Sequence, residues 1–458
     1  MTATATRVPP PDAPRGFLGQ PRGLLTLVGI GLWERFSFYG MQVVLLYYLF
    51  FPAAKGGLGM SQDQAASIVG AYGGTVYLST IVGAWVADRL LGAERTLFYS
   101  AVLILTGHIA LAAIPGSPGV WLGLPLIALG SGGQISNVTA STGTLYGADD
   151  TRRDTGFLLF YMGLNAGALA GPLLTGFART RLGFHYGFGL AAIGMAIGLT
   201  LYTLGRHGLG ERGRRVPDPL PRSAVARTVA VTVGVVALVA AGCLSGVLTL
   251  DHAATAVMIA ALALIAGYFT TMLRSAKVSP AERRRVRSLI PMVIVNCVFW
   301  ALYQQQFTVV QIYAVSRVDL DILGFDMPPE WFNSAVPAFV IIFTPLLLLL
   351  WSRLGSREPS VPVKFLLGIV GIGISFLLFI PMADNKGAVN SPFALAGILV
   401  LFTLAELCVS PVQMSLSTAF APKAFSNQMV SLWFLSTAAG SAGAGTLADF
   451  YSPNHEAS

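Results

Sequence analysis

The sequence predicts an all-α membrane protein, and three observations carry that prediction. Of its residues 54% are hydrophobic and only 11% are charged, whereas soluble proteins carry charge on about a quarter. About thirteen apolar stretches are long enough to cross ~30 Å of hydrocarbon as helices. The basic residues fall in the loops between those stretches and favour alternate sides. With a cytoplasmic N-terminus, 23 of the 29 Lys and Arg lie inside, five lie outside (Lys55, Arg179, Arg181, Arg317, Lys386), and Arg35 lies within the membrane. Membrane topology therefore explains the net charge of +8 better than nucleic-acid binding does.

The elements follow in order. The Pro-rich opening, Val8-Pro9-Pro10-Pro11, runs into the first apolar stretch with no cleavable leader pattern, so that stretch is expected to stay as a helix. Segments near 24–50, 64–87, 97–114, 119–141, 156–177 and 186–204 make an N-terminal six-helix bundle over 1–204. The Arg- and Pro-rich stretch 206–227 is too polar to span and reads as a cytoplasmic linker. Segments near 228–250 and 254–273 are joined at Asp251-His252 and followed by Arg283-Arg284-Arg285-Val286-Arg287, which gives an inserted helical hairpin within 205–288. Five more, near 289–313, 332–352, 363–381, 392–420 and 426–447, make a C-terminal bundle over 289–458. Paired six-helix bundles around a midplane site form a common transporter plan. Six plus two plus five is that plan one helix short, with the C-terminus expected outside.

Some chemistries are not expected. Cys243, Cys297 and Cys408 lie in separate spans, which indicates neither a disulfide framework nor a metal site. No nucleophile–base pair, metal cluster or nucleotide loop stands at mechanistic spacing, so neither an enzyme nor an ATP-driven pump is expected, and no cofactor.

The segment Leu32-Trp33-Glu34-Arg35-Phe36-Ser37-Phe38-Tyr39-Gly40 instead sets an acid beside a base at lipid depth. A charge there costs about 3 kcal/mol or more, so such residues mark substrate or proton paths. His108 could also transfer a proton, although a lone histidine is more often a core residue. Gln304, Gln305 and Gln306 can line a cavity but cannot carry the proton.

Gly83-Ala84-Trp85-Val86-Ala87-Asp88-Arg89-Leu90-Leu91-Gly92 resembles the GxxxD signature of the major facilitator superfamily. Its glycines allow backbones to approach, while Asp88 and Arg89 can make charge-assisted bonds that hold a gate. Trp33 to Gly40, with Phe160-Tyr161-Met162-Gly163-Leu164-Asn165, resembles the two signatures of the proton-dependent oligopeptide transporter family. Phe299-Trp300-Ala301-Leu302-Tyr303 with Gln305, Glu406-Leu407-Cys408-Val409-Ser410-Pro411 and Trp433-Phe434-Leu435-Ser436 extend the resemblance over about residues 16–447.

The resemblance implies a major facilitator fold whose central cavity holds a small peptide moving with protons. It implies that Glu406 holds the peptide amino terminus and Arg35 helps to hold its carboxylate, with Tyr39, Tyr77, Asn165 and Trp433 as further walls. Coupling is then expected at Glu34, Arg35 and Glu406, and gating at Asp88 and Arg89. Several positions depart from the family pattern. Gly31 stands where the family has a glutamate, Ile135 where it has a lysine, and Gln304 where many members have a glutamate. Losing the first two together removes one charge of each sign and keeps the cavity balanced. Phe38 replaces a family tyrosine and Val336 a family asparagine, so two hydrogen bonds to peptide are expected to be lost and a more apolar substrate favoured.

The leading expectation is a monomeric transporter of the cell inner (plasma) membrane, N-terminus cytoplasmic, importing di- or tripeptides with protons by alternating access. An exporter or facilitator of a peptide-like metabolite or drug, and a transport-dead membrane protein that binds or senses peptides, remain open beside it.

Overall fold

A computed structural model of the chain describes residues 17–147, 150–210, 213–383 and 390–451. The Pro-rich opening, Lys386 and the stretch after Tyr451 lie outside the described residues. Thirteen long helices among these residues account for the expected spans. They begin with α1 (Arg22–Phe50), α2 (Gln62–Val86), α3 (Ala93–Ala113), α4 (Ser117–Thr144), α5 (Arg153–Leu182) and α6 (Phe184–Gly205). The hairpin is α7 (Arg222–Leu244) and α8 (Ala253–Arg274). Next come α9 (Pro280–Tyr303), continued by the short α10 (Val309–Arg317), then α11 (Trp331–Leu354) and α12 (Val361–Leu377), continued by α13 (Ile380–Ala383). The last two are α14 (Pro392–Ala419) and α15 (Ser426–Leu447).

Ten spans are long and apolar enough to cross a membrane on composition alone. The other three, α1, α4 and α15, bring polar groups into the interior: Glu34 and Gln42, then Ser131, Gln134 and Asn137, then Ser436, Thr437 and Ser441, all buried. At the other extreme, α7 buries none of its residues and shows apolar side chains on every face, as a helix surrounded by lipid should.

Within the first bundle α1 packs on α5 and α6, α3 on α4 and α6, and α2 on α4. In the second, α9 packs on α15, and α14 on α12 and α11. The bundles meet where α2 touches α15 and α5 touches α11, while α8 lies along α15 and α2. Each bundle has its own apolar core, around Leu27, Met41 and Phe188 in one and Phe299, Phe402 and Leu432 in the other. The loops after α2, α4, α6, α8 and α11, together with the helix turns that flank them, carry most of the arginines and define a basic end; the loops after α1, α3, α5, α7 and α10 define the opposite end.

Two helices start six or more residues before their apolar runs. α7 begins at Arg222 rather than near 228, because Arg222 and Arg227 can lay their stems along the helix and extend their heads to water. It stops near Leu244, where Gly246 takes a φ of 73°. α9 begins at Pro280 rather than near 289: the Ser279 hydroxyl accepts from the Glu282 amide at 3.3 Å, and the Glu282 carboxylate accepts from the Ser279 amide at 2.8 Å. This reciprocal cap supports the charged first turns.

The run expected as one helix over 289–313 breaks into a 3-10 turn, Gln304–Phe307. Side chains take over the backbone's hydrogen bonding there: Thr308 Oγ1 donates to Gln305 Oε1 at 2.8 Å, and Gln311 Nε2 donates to the Gln306 carbonyl at 3.1 Å.

A close helix contact depends on Gly83, the first residue of the segment that carries Asp88 and Arg89. A Cβ at Gly83 would fall on the backbone of Gly133 in α4, and Asn137 Nδ2 donates to the Gly83 carbonyl at 3.2 Å. Gly83→Val is therefore expected to destabilise the protein by about 1–3 kcal/mol through overpacking, seen as a lower melting temperature in detergent. An unchanged melting temperature would contradict this contact.

Candidate functional site

A cavity of about 360 Å³ lies between the bundles at the middle of the helices, within the range of small-molecule sites. Arg35, Tyr39, Tyr77, Asn165, Glu406 and Trp433, the six residues expected to bind substrate, all line it.

On the α1 side, consecutive residues take different roles because a helix turns about 100° per residue. Arg35 reaches the cavity, with its guanidinium 5.9 Å from the Tyr39 ring centre, while Glu34 is buried behind it, 2% exposed. The Glu34 carboxylate lies 3.3 Å from Arg35 Nε. A lone charge would be costly at this depth, and this contact neutralises the arginine locally. Behind the pair, Glu34 faces Ser131 of α4, and both polar side-chain atoms of Gln134 on the same helix are buried without a hydrogen-bond partner.

Gly31 and Ile135 both stand in apolar surroundings. A Cβ on Gly31 would sit 2.7 Å from Leu164 Cδ2, so the leucine of α5 occupies the room a longer side chain would need. Leu164 and Ile135 both line the cavity, as does Arg35, and contribute apolar wall on the first-bundle side.

On the other side, Glu406 Oε2 accepts from the Tyr303 hydroxyl at 2.8 Å, and Glu406 Oε1 accepts from the Ser410 hydroxyl at 3.4 Å. Tyr303 is steadied by stacking on Phe299, with ring centres 5.8 Å apart. Trp300 Nε1 donates to Gln413 Oε1 at 3.2 Å. The cavity thus sets one base and one acid on opposite bundles, between aromatic faces.

At the opposite end the bundles are fastened together. Tyr39 of α1 stacks on Phe307, with centres 5.7 Å apart. Further out, the Tyr47 hydroxyl donates to Gln311 Oε1 at 2.7 Å, and the Ser334 hydroxyl donates to the Leu169 carbonyl at 2.8 Å. Arg179 of α5 grips Glu330, just before α11, through Nε and Nη2, each at 2.6 Å. Glu330 is fully buried. This bidentate pair is among the stronger interactions available to a protein.

Some expectations need correction. Phe38 does not line the cavity: its ring is buried in the first bundle, edge-on to Tyr39 at 5.3 Å and tilted against Tyr72 at 5.9 Å, so no hydrogen bond to substrate is lost there. Val336 does line it, but Asn333 one turn earlier supplies an amide, its Nδ2 held by the Gln306 carbonyl at 3.2 Å and its Oδ1 unpartnered. His108 is fully buried away from the cavity, and neither ring nitrogen has a hydrogen-bond partner. Arg89 meets Asp218 of the linker at 3.0 Å, and the linker amides of Asp218 and Leu220 donate to the carbonyls of Asp88 and Arg89.

Gln304 and Gln306 line the cavity as their residue type allows, whereas wall residues not singled out from the sequence include Tyr161, Trp300 and Tyr303, each inside a motif already recognised there, and Phe307 and Asn333, whose roles depend on the break after α9. Arg179 and Glu330 gave no local signal.

Fold and cavity together define an integral membrane transporter of the major facilitator class. Residues 94–457 match the model of the POT family. Over 431 residues the chain is 42% identical to the uncharacterized transporter YclF of Bacillus subtilis, covering 93% of this chain and 87% of that protein. It is 40% identical over 438 residues to the di-/tripeptide transporter of Lactococcus lactis subsp. cremoris, covering 92% and 87%. The crystal structure of peptide transporter POT in complex with sulfate superposes with a TM-score of 0.93 at 41% identity, covering 96% and 91% of the two chains. A POT family transporter in complex with 5-aminolevulinic acid gives 0.90 at 36%, covering 95% and 92%. The chain belongs to the POT family.

Proposed function

We propose that this protein imports di- or tripeptides, or peptide-like molecules, together with protons by alternating access. The observation that carries the reading is the pairing of Arg35 and Glu406 across one cavity from different bundles, which suits the two ends of a zwitterion. Relatives named as di-/tripeptide transporters support the substrate class. With the basic end cytoplasmic and the N-terminus inside, the fastened opposite end is extracellular and the cavity belongs to an inward-facing state.

In this reading substrate enters from outside, bridges Arg35 and Glu406, and the bundles rock about it. Glu34 and Glu406 are the groups whose protonation biases the cycle, since each carries a charge whose loss changes what Arg35 or the substrate ammonium can bind. The test is uptake of labelled dialanine into proteoliposomes with and without an imposed inward proton gradient. Gradient-driven uptake is expected; binding without flux would replace the transporter by a receptor. The apolar wall of Leu164 and Ile135 favours an exporter or facilitator as the second reading; stimulation of uptake by the gradient would count against a pure facilitator.

Asp88 and Arg89 are proposed to act in gating through the linker. The side chains of Arg89 and Asp218 are 36% and 69% exposed, and such a pair is worth about 0–1 kcal/mol. Arg89→Ala should therefore leave the melting temperature within ~2 °C while slowing uptake several-fold. A large drop in melting temperature with unchanged uptake would assign the pair to structure alone.

A further inference from the structure

The charges of the cavity are unequally satisfied. Among the described lining residues Arg35 is the only base and Glu406 the only acid. Arg35 already has a counter-ion in Glu34, 3.3 Å away and buried behind it. The partners of Glu406 are two neutral hydroxyls, of Tyr303 and Ser410. A substrate carboxylate arriving at Arg35 meets a pair with no net charge, whereas an ammonium arriving at Glu406 meets an uncompensated carboxylate. The cavity walls are largely aromatic and aliphatic, so the difference is felt more strongly than it would be in bulk water. The same wall of the first bundle is completed by the apolar Ile135 and Leu164, which offer a carboxylate no second charge.

Resting on the peptide-transporter reading above, we infer that this cavity discriminates among substrates by their free ammonium group, the carboxylate contact at the already paired Arg35 adding little affinity, so that its substrate class extends to amidated, monocationic peptide-like amines. The charge sum leads the same way. With both acids ionised, Glu34, Arg35 and Glu406 total one negative charge. A zwitterion leaves that charge unbalanced, and a proton completes the balance. A monocation completes it unaided, so the amide depends less on an imposed proton gradient than the free peptide does.

The test uses the full chain in lipid nanodiscs with dialanine, dialanine amide and N-acetyl-dialanine as ligands. Dialanine amide is expected to bind within about threefold of dialanine, and the acetylated peptide at least tenfold more weakly. Binding of dialanine with tenfold or greater loss for the amide overturns the inference and leaves the peptide reading intact. Undiminished binding of the acetylated peptide also overturns it. Failure of all three to bind overturns the peptide reading and the inference with it. In a second arm, Ile135→Lys returns a base to the wall and is expected to shift preference toward dialanine over its amide by at least tenfold. Ile135→Met, which adds no charge, should leave the ratio as it is. An unchanged ratio in folded Ile135→Lys counts against the inference.

Discussion

Glu406→Gln is expected to weaken binding of a free-amine dipeptide by roughly 30- to 4,000-fold and to abolish its uptake. The substitution keeps the size of the side chain, and a glutamine oxygen can still accept from the Tyr303 hydroxyl now 2.8 Å away. The fold should therefore survive with little change in melting temperature. What disappears is the counter-charge for an ammonium group stripped of water. Leaving one member of a buried, hydrogen-bonded charge pair alone costs about 2–5 kcal/mol, the range behind the fold-change above. Equilibrium binding to purified protein checks it directly. An affinity within threefold of the unmodified protein would mean that the ammonium binds elsewhere, with Gln306 and Asn333 the next candidates in the same wall.

How much of this was legible in the sequence depends on the range over which each signal acts. The spans were legible because hydrocarbon thickness sets a length that any apolar run must meet. Their ends were less so: the starts of α7 and α9 lie among arginines, and composition alone cannot tell a charged first turn from a loop. Glu34, Arg35 and Glu406 were found because a charge inside a membrane segment is visible in a single line of sequence. The distinction between them was not. Only the helical turn shows that Arg35 faces the cavity while Glu34 stands behind it and satisfies it.

Gly31 shows a different limit. Its sequence meaning was the absence of an acid; its structural meaning is that Leu164, from a helix more than 130 residues further on, fills the space. Phe38 misled for the same reason, since a residue's number in a motif does not fix which side of the helix meets the substrate. Both failures are about which neighbour arrives from elsewhere in the chain, and one sequence contains no record of that.

The pair that the sequence concealed most completely carries the second large prediction. Arg179 counted there as a loop charge and Glu330 went unnoticed, yet the two form a buried bidentate contact between the first and second bundles. The contact exists only while the ends of α5 and α11 stay together, so it stabilises this state relative to one open at that end. Glu330→Gln leaves the guanidinium buried with its counter-charge removed and one of its two acceptor oxygens replaced by a donor, at a cost of about 3–5 kcal/mol, whereas opening would return it to water. Even 3 kcal/mol shifts a two-state equilibrium about 100-fold. The expected result is that Ser334→Cys, at a site now 2% exposed, reacts at least tenfold faster with an impermeant thiol reagent once Glu330→Gln is added. Cys243, Cys297 and Cys408 would first be replaced to remove background. Equal labelling rates in folded protein would show that the pair does not hold the end closed. Replacing both Arg179 and Glu330 by leucine should perturb labelling less than Glu330→Gln alone, because no unpaired charge remains to favour opening.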